Sequence, residues 1–141
     1  MSEQHDVPDR VVATDAAVQL LTTLSELHGG LMIHQSGGCC DGSAPMCYAV
    51  GEFRVGQRDV LVGGVVLPEP LPAVRVWING DQFELWKHTQ LILDVVAGRG
   101  AGFSLEAPEG VRFISRARAF DDEENALLAQ NPPLTGASAG I

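Results

Sequence analysis

Basic residues and long apolar segments are both scarce in this sequence. The 141 residues include 9 Lys and Arg against 18 Asp and Glu, so the formal net charge is −9. Nucleic acids and anionic membrane surfaces are bound through basic patches, which this balance disfavours. No apolar run approaches the ~20 residues that a membrane-spanning helix needs. We therefore expect no nucleic acid and no membrane among the partners.

The amino-terminal residues also lack the features of a secretory signal. Met1 to Asp6 are polar and acidic, without the basic and apolar segments that such a signal contains. Hydrophobic residues make up 45% of the chain and the mean hydropathy is +0.10, as is typical of a globular domain. These values predict a single cytoplasmic domain with a modest core.

Cysteine is rare as well, but all three copies lie within nine residues of one glycine-rich segment. Its sequence is Ser36-Gly37-Gly38-Cys39-Cys40-Asp41-Gly42-Ser43-Ala44-Pro45-Met46-Cys47. Thiolates are soft metal ligands and nucleophiles, and Gly38 and Gly42 allow the backbone to approach a bound group closely. His34 adds an imidazole five residues before Cys39. An odd cysteine count argues against a disulfide framework.

Several interpretations of this cysteine cluster are open. Cys39, Cys40 and Cys47, with His34 or His88, would suit zinc, iron or an iron–sulfur cluster. A thiol–disulfide pair is a second possibility, and small buried apolar side chains are a third. A nucleophilic cysteine needs a histidine base and an orienting residue, which no motif here indicates. The polar, glycine-rich context favours the metal site.

Local patterns predict a mixed α+β fold that is mainly β. Thr14 caps a helix over 15–28 that ends at Gly29, and a second helix is expected over 121–130. Strands are predicted over 31–35, 48–53, 60–67, 74–78, 90–96, 102–107 and 111–114. Asn79-Gly80 is a turn signal, and residues 81–88 fit either a strand or a short helix. Glu106 and Glu109 are expected on solvated faces.

These elements divide the chain into three parts. Residues 1–12 are expected to be a flexible terminus and residues 13–120 the folded domain. Residues 121–141 are expected to form a short helix and a disordered tail rich in Pro, Gly, Ala and Ser.

The order of the motifs resembles that of the A-type iron–sulfur carrier proteins with the HesB-like fold. The similar segments are residues 38–42, 74–80, 89–91 and 102–105. The resemblance implies a compact β-sandwich or barrel with an amino-terminal flanking helix, a short helix at Asp81 to Trp86, and homo-oligomers. It places the first cluster ligand at Cys40. The chain departs from the carriers in having no cysteine after Cys47, where they have a Cys-x-Cys pair.

A second resemblance covers more of the chain. Residues 28–48, 83–91 and 98–106 are similar to a bacterial family of unknown function whose members are often encoded beside aldehyde or alcohol dehydrogenases. The two resemblances together imply a non-enzymatic accessory protein that holds a metal or iron–sulfur cluster for such a dehydrogenase. A thiol–disulfide redox protein and a metal-free structural partner of the dehydrogenase are the alternatives.

Overall fold

A computed structural model of the chain describes residues 7–35, 45–98 and 104–138. Strands are the main element over these residues, so the prediction of a mixed, mainly β fold is confirmed. The strands are β1 (Val11–Ala13), β2 (Leu31–Gln35), β3 (Met46–Ala49), β4 (Val60–Val65), β5 (Val74–Ile78), β6 (Thr89–Ala97), β7 (Val111–Ala119) and β8 (Leu134–Thr135). The helices are α1 (Asp15–His28), α2 (Gly80–Trp86) and α3 (Asp122–Ala129), with a 3-10 turn at Ala107–Glu109.

The larger sheet has the strand order β3-β2-β5-β4-β8. β2 and β5 are parallel, whereas the other neighbouring strands are antiparallel. Ile33 is in register with Cys47 on one side and Val76 on the other, and all three side chains are buried in the core. Since side chains alternate along a strand, the residues directly before and after each of these three belong to the opposite face of the sheet.

The smaller sheet has the order β1-β6-β7, with β6 and β7 forming a long antiparallel pair. Leu93 and Phe113 are fully buried and line its core side. The buried Ser115 hydroxyl donates to Gln35 Oε1 at 2.9 Å and thereby links the two sheets through the core. Over the described residues neither sheet closes on itself, so the alternative of a barrel was wrong.

Helix α1 forms where the sequence predicts it, because both of its ends are capped. The Thr14 hydroxyl accepts from the Ala17 amide at 3.2 Å, and the Gly29 amide donates to the Ser25 carbonyl. Gly29 has a φ of +85°, a conformation that glycine adopts without strain. The helix packs against β6 and β2. Within the described ranges no helix is long and apolar enough to span a membrane.

Several local predictions differ from the structure, among them the strand predicted over 48–53, which runs over Met46–Ala49 and is followed by a turn. Asn79 does not form a hairpin turn: its side-chain oxygen accepts from the Asp81 amide at 2.9 Å and caps α2, which resolves the ambiguity over 81–88 in favour of a helix. The strand predicted over 102–107 is absent from its described part, where a turn and the 3-10 helix lead into β7. Gly110, with a φ of +77°, ends that 3-10 helix.

Both ends of the described chain join the sheets. β1 pairs in parallel with β6, and Gly63 at the irregularity in β4 leaves room for Val11, whose Cγ1 would lie 2.8 Å from an added Cβ. β8 pairs with β4, which adds a two-residue strand to a segment expected to be disordered. The predicted boundaries at 12 and 121 therefore fall inside β1 and at the cap of α3, respectively.

Candidate functional site

The cysteine-rich segment connects two neighbouring antiparallel strands. β2 ends at Gln35, β3 begins at Met46, and His34 is paired with Met46 at this end of the sheet. Gly38, Cys39, Cys40 and Gly42 lie outside the described residues. His34 and Cys47, the other two predicted ligands, are described, and they flank this connection.

His34 is buried and its ring is held on two sides. Its Nε2 lies 3.1 Å from Oδ2 of Asp59, and only 3% of the residue is exposed. The same carboxylate oxygen accepts from the Gly56 amide at 2.8 Å, so the turn before β4 positions it. The Phe53 ring lies 4.4 Å from the imidazole, and Tyr48 stacks on Phe53 at 4.7 Å. The imidazole is therefore oriented by a carboxylate and an aromatic pair.

Cys47 lies on the other face of the same sheet. It is paired with Ile33, one residue before His34, and is fully buried among aliphatic side chains. Burial, and secondarily the charge of Glu106, raises the pKa of the Cys47 thiol to about 12. The structure thus does not bring His34 and Cys47 to a common point, since adjacent register positions project to opposite faces.

We expect the Cys47 thiol to be unreactive in the folded protein. A pKa of about 12 in place of 9.0 leaves about a thousandfold less thiolate, the nucleophilic form, below pH 9. Iodoacetamide at about pH 8 should therefore alkylate Cys47 in urea but not under native conditions. Peptide mapping by mass spectrometry measures the extent of alkylation in both conditions. Equal labelling in the two conditions would show that this thiol is accessible and ionised.

A buried carboxylate next to Cys47 was not predicted. Glu106 is 1% exposed, which corrects the expectation of a solvated face. Its Oε1 accepts from the Ser104 hydroxyl, and its Oε2 accepts from the Phe113 amide at 3.2 Å. The Ser104 hydroxyl in turn accepts from the Cys47 amide at 2.8 Å. This chain of hydrogen bonds joins β3 to the start of β7.

Weak signals for Glu106 and Asp59 were present in the sequence. Ser104 and Glu106 precede Pro108 and Gly110, and such turn-forming segments commonly bond their side chains to nearby backbone. Asp59 follows Gly56 in the same kind of pattern. Neither pattern indicates that the carboxylate is buried, because burial depends on the strands that cover it.

The described residues do not form a metal site by themselves. Across 7–35, 45–98 and 104–138, no three His, Cys, Asp or Glu side chains are grouped closely enough to bind one ion. His88, the other candidate imidazole, lies beside α3, with its Nδ1 3.2 Å from Asn125 Oδ1. His34 with its carboxylate partner fits the surroundings of a metal-binding histidine, whereas the buried, protonated Cys47 does not fit a ligand.

The chain is similar to a known family of protein domains. Residues 20–119 match the model of a domain of unknown function (DUF779), and the chain belongs to this family. The match confirms that the chain has the domain of an uncharacterised family. No curated protein matches the chain.

Proposed function

We propose that this DUF779 protein is a non-enzymatic accessory protein that binds a transition metal ion or an iron–sulfur cluster through the segment between β2 and β3. Its ligands are His34, Cys39 and Cys40. The observation that supports the proposal best is the buried contact between His34 and Asp59 at the start of this segment.

The His34–Asp59 contact resembles the surroundings of known metal-binding histidines. Such a histidine usually donates one ring N–H to a carboxylate, which sets the ring orientation and makes the imidazole a stronger ligand. The Asp59 carboxylate lies beside the ring, with Oδ2 at 3.1 Å from Nε2, which is close enough for a charge contact. The side chain of Asp59 is 12% exposed, so the contact is little screened by solvent.

The cysteines of the connecting segment complete the proposed ligand set. Cys39 and Cys40 follow His34 by five and six residues, and Gly38 and Gly42 allow close approach of the backbone. Soft thiolates select zinc, iron or iron–sulfur clusters over hard cations. Cys47 is not among the proposed ligands, because the high pKa of its thiol and its position in the core disfavour metal coordination.

The relation to dehydrogenases and to the HesB-like carriers belongs to the same proposal. It is supported by the sequence resemblances and by the mixed, mainly β fold with a flanking helix α1. A chain with few ligands gains a complete site when two copies share a metal, so a homo-oligomer is part of the proposal. A bound cluster would supply electron or sulfur transfer chemistry to an aldehyde or alcohol dehydrogenase partner.

Metal analysis of protein purified without oxygen tests the proposal. We expect about one metal equivalent per chain, or about half if two chains share a site. The Cys39→Ser/Cys40→Ser variant should lose the metal, whereas the matched Cys47→Ala variant should keep it. Below about a tenth of an equivalent in the unaltered protein, with Cys39 and Cys40 freely titratable, metal binding would be rejected.

The same protein preparations distinguish the two alternative functions, a thiol–disulfide redox protein and a metal-free structural partner. A reversible Cys39–Cys40 bond in metal-free protein, trapped by alkylation and seen by mass spectrometry, would favour the thiol–disulfide function. Unchanged binding to a dehydrogenase after all three cysteines are replaced by serine would favour a structural partner.

A further inference from the structure

A second candidate site lies between α2, α3 and the residues that follow each helix. It is a cleft of about 240 Å³. Its lining includes Arg10, Phe83, Lys87, His88, Leu128 and Pro132. The volume is below the ~300–1,000 Å³ of pockets for drug-sized molecules, so a smaller ligand fits it.

The cleft is lined by basic side chains, although the chain as a whole is strongly acidic. Arg10 and Lys87 line it. The acidic residue of the lining is Glu84, whose Oε1 is already paired with the Lys87 ammonium at 2.9 Å. With a net charge of −9 over the whole chain, a cleft with this lining favours an anion over a cation.

The guanidinium of Arg10 is fixed in place before any ligand arrives. Its Nη2 donates to the carbonyls of Leu128 and Asn131, at 3.0 and 2.8 Å. The group also lies over the Phe83 ring, 5.6 Å from its centroid. Within the described part of the chain, Nε and Nη1 make no hydrogen bond, so single N–H donors of a fixed guanidinium are left for an anion.

A small recess of about 10 Å³ adjoins the cleft, and Trp86, whose side chain has a buried donor unpaired within the described ranges, is part of its lining. Arg10, Phe83 and Lys87 line both spaces, and Trp86 lines the recess. Trp86 is 6% exposed, and its Nε1 has no hydrogen-bond partner among the described residues. A buried N–H without a partner is unfavourable. An acceptor oxygen within reach of Nε1 would relieve that cost.

We propose that this cleft binds a small organic carboxylate with an apolar body. The carboxylate pairs with Arg10 and Lys87, because guanidinium and ammonium groups are the usual partners of such a group. The apolar body lies against the ring of Phe83, Leu128 and the prolines at 132 and 133. This site is separate from the proposed metal site, so either can fail without the other.

Titration of the ¹⁵N-labelled protein with sodium benzoate, followed by NMR, tests this assignment. We expect saturable shifts confined to the amides of 9–11, 83–91 and 125–131, with a dissociation constant near the millimolar range that is ordinary for so small a ligand. Benzyl alcohol, which keeps the ring but not the charge, should bind at least about fivefold more weakly.

Two matched variants make the test specific. Lys87→Gln should weaken benzoate binding about three- to tenfold, whereas Arg58→Gln should leave it unchanged. Arg58 is paired with Asp81 near the opposite end of α2, so both variants lose one charge. The assignment would be overturned by shifts elsewhere in the protein, by equal binding of benzyl alcohol, or by equal effects of the two variants.

Discussion

Replacing Glu106 with alanine is expected to lower the free energy of unfolding by about 2–4 kcal/mol. The carboxylate accepts hydrogen bonds from the Ser104 hydroxyl and the Phe113 amide, and it is almost completely buried. Alanine leaves both donors without a partner in a region from which water is excluded. Urea unfolding followed by circular dichroism measures the loss.

Glu109 provides the matched control for this experiment. It lies three residues further on, at the end of the 3-10 helix, and it is exposed. Glu109→Ala should change the free energy of unfolding by less than about 0.5 kcal/mol. If the two alanine variants were equally stable, the hydrogen-bond chain from Cys47 to Phe113 would contribute nothing to the fold.

The second large effect concerns the proposed metal ligand His34. Asp59→Asn is expected to lower metal affinity about ten- to a hundredfold, the usual cost of losing the carboxylate behind a coordinating histidine. Asparagine keeps an oxygen for the Gly56 amide but removes the negative charge beside the imidazole. Competition with a chromophoric chelator, under the same anaerobic conditions, measures the affinity.

Asp81→Asn controls for the loss of one acidic charge. Asp81 is exposed and pairs with Arg58 at the start of α2, so its removal should leave metal affinity unchanged. A metal affinity that Asp59→Asn does not alter would mean that His34 is not a ligand. In that case the His34–Asp59 contact would be a buried structural pair.

Most elements of the fold follow from short-range signals. Thr14 and Gly29 mark both ends of α1, and Asp121 marks the start of α3 through a capping box with Glu124. β2, β5 and β6 coincide closely with the predicted apolar segments. Predictions were poorer where one signal suits two structures, as at Asn79-Gly80, because a turn and a helix cap favour the same residues.

The candidate site was less predictable than the fold. The sequence places His34 and Cys47 near one segment, but the face of the sheet on which each side chain lies depends on the register between β2 and β3. A shift by one residue would exchange the faces. Asp59 lies 25 positions from His34, and nothing local indicates that they meet.

By itself the sequence determined the acidic charge, the capped helices α1 and α3, the succession of strands and the concentration of cysteines around the start of β3. Tertiary structure alone decided that Cys47 is a core residue, that Glu106 is buried, and that Asp59 contacts His34. The physical reason is that helix caps and strand propensity act over a few residues. The burial and ionisation of a side chain depend instead on which strands, distant in sequence, pack against it.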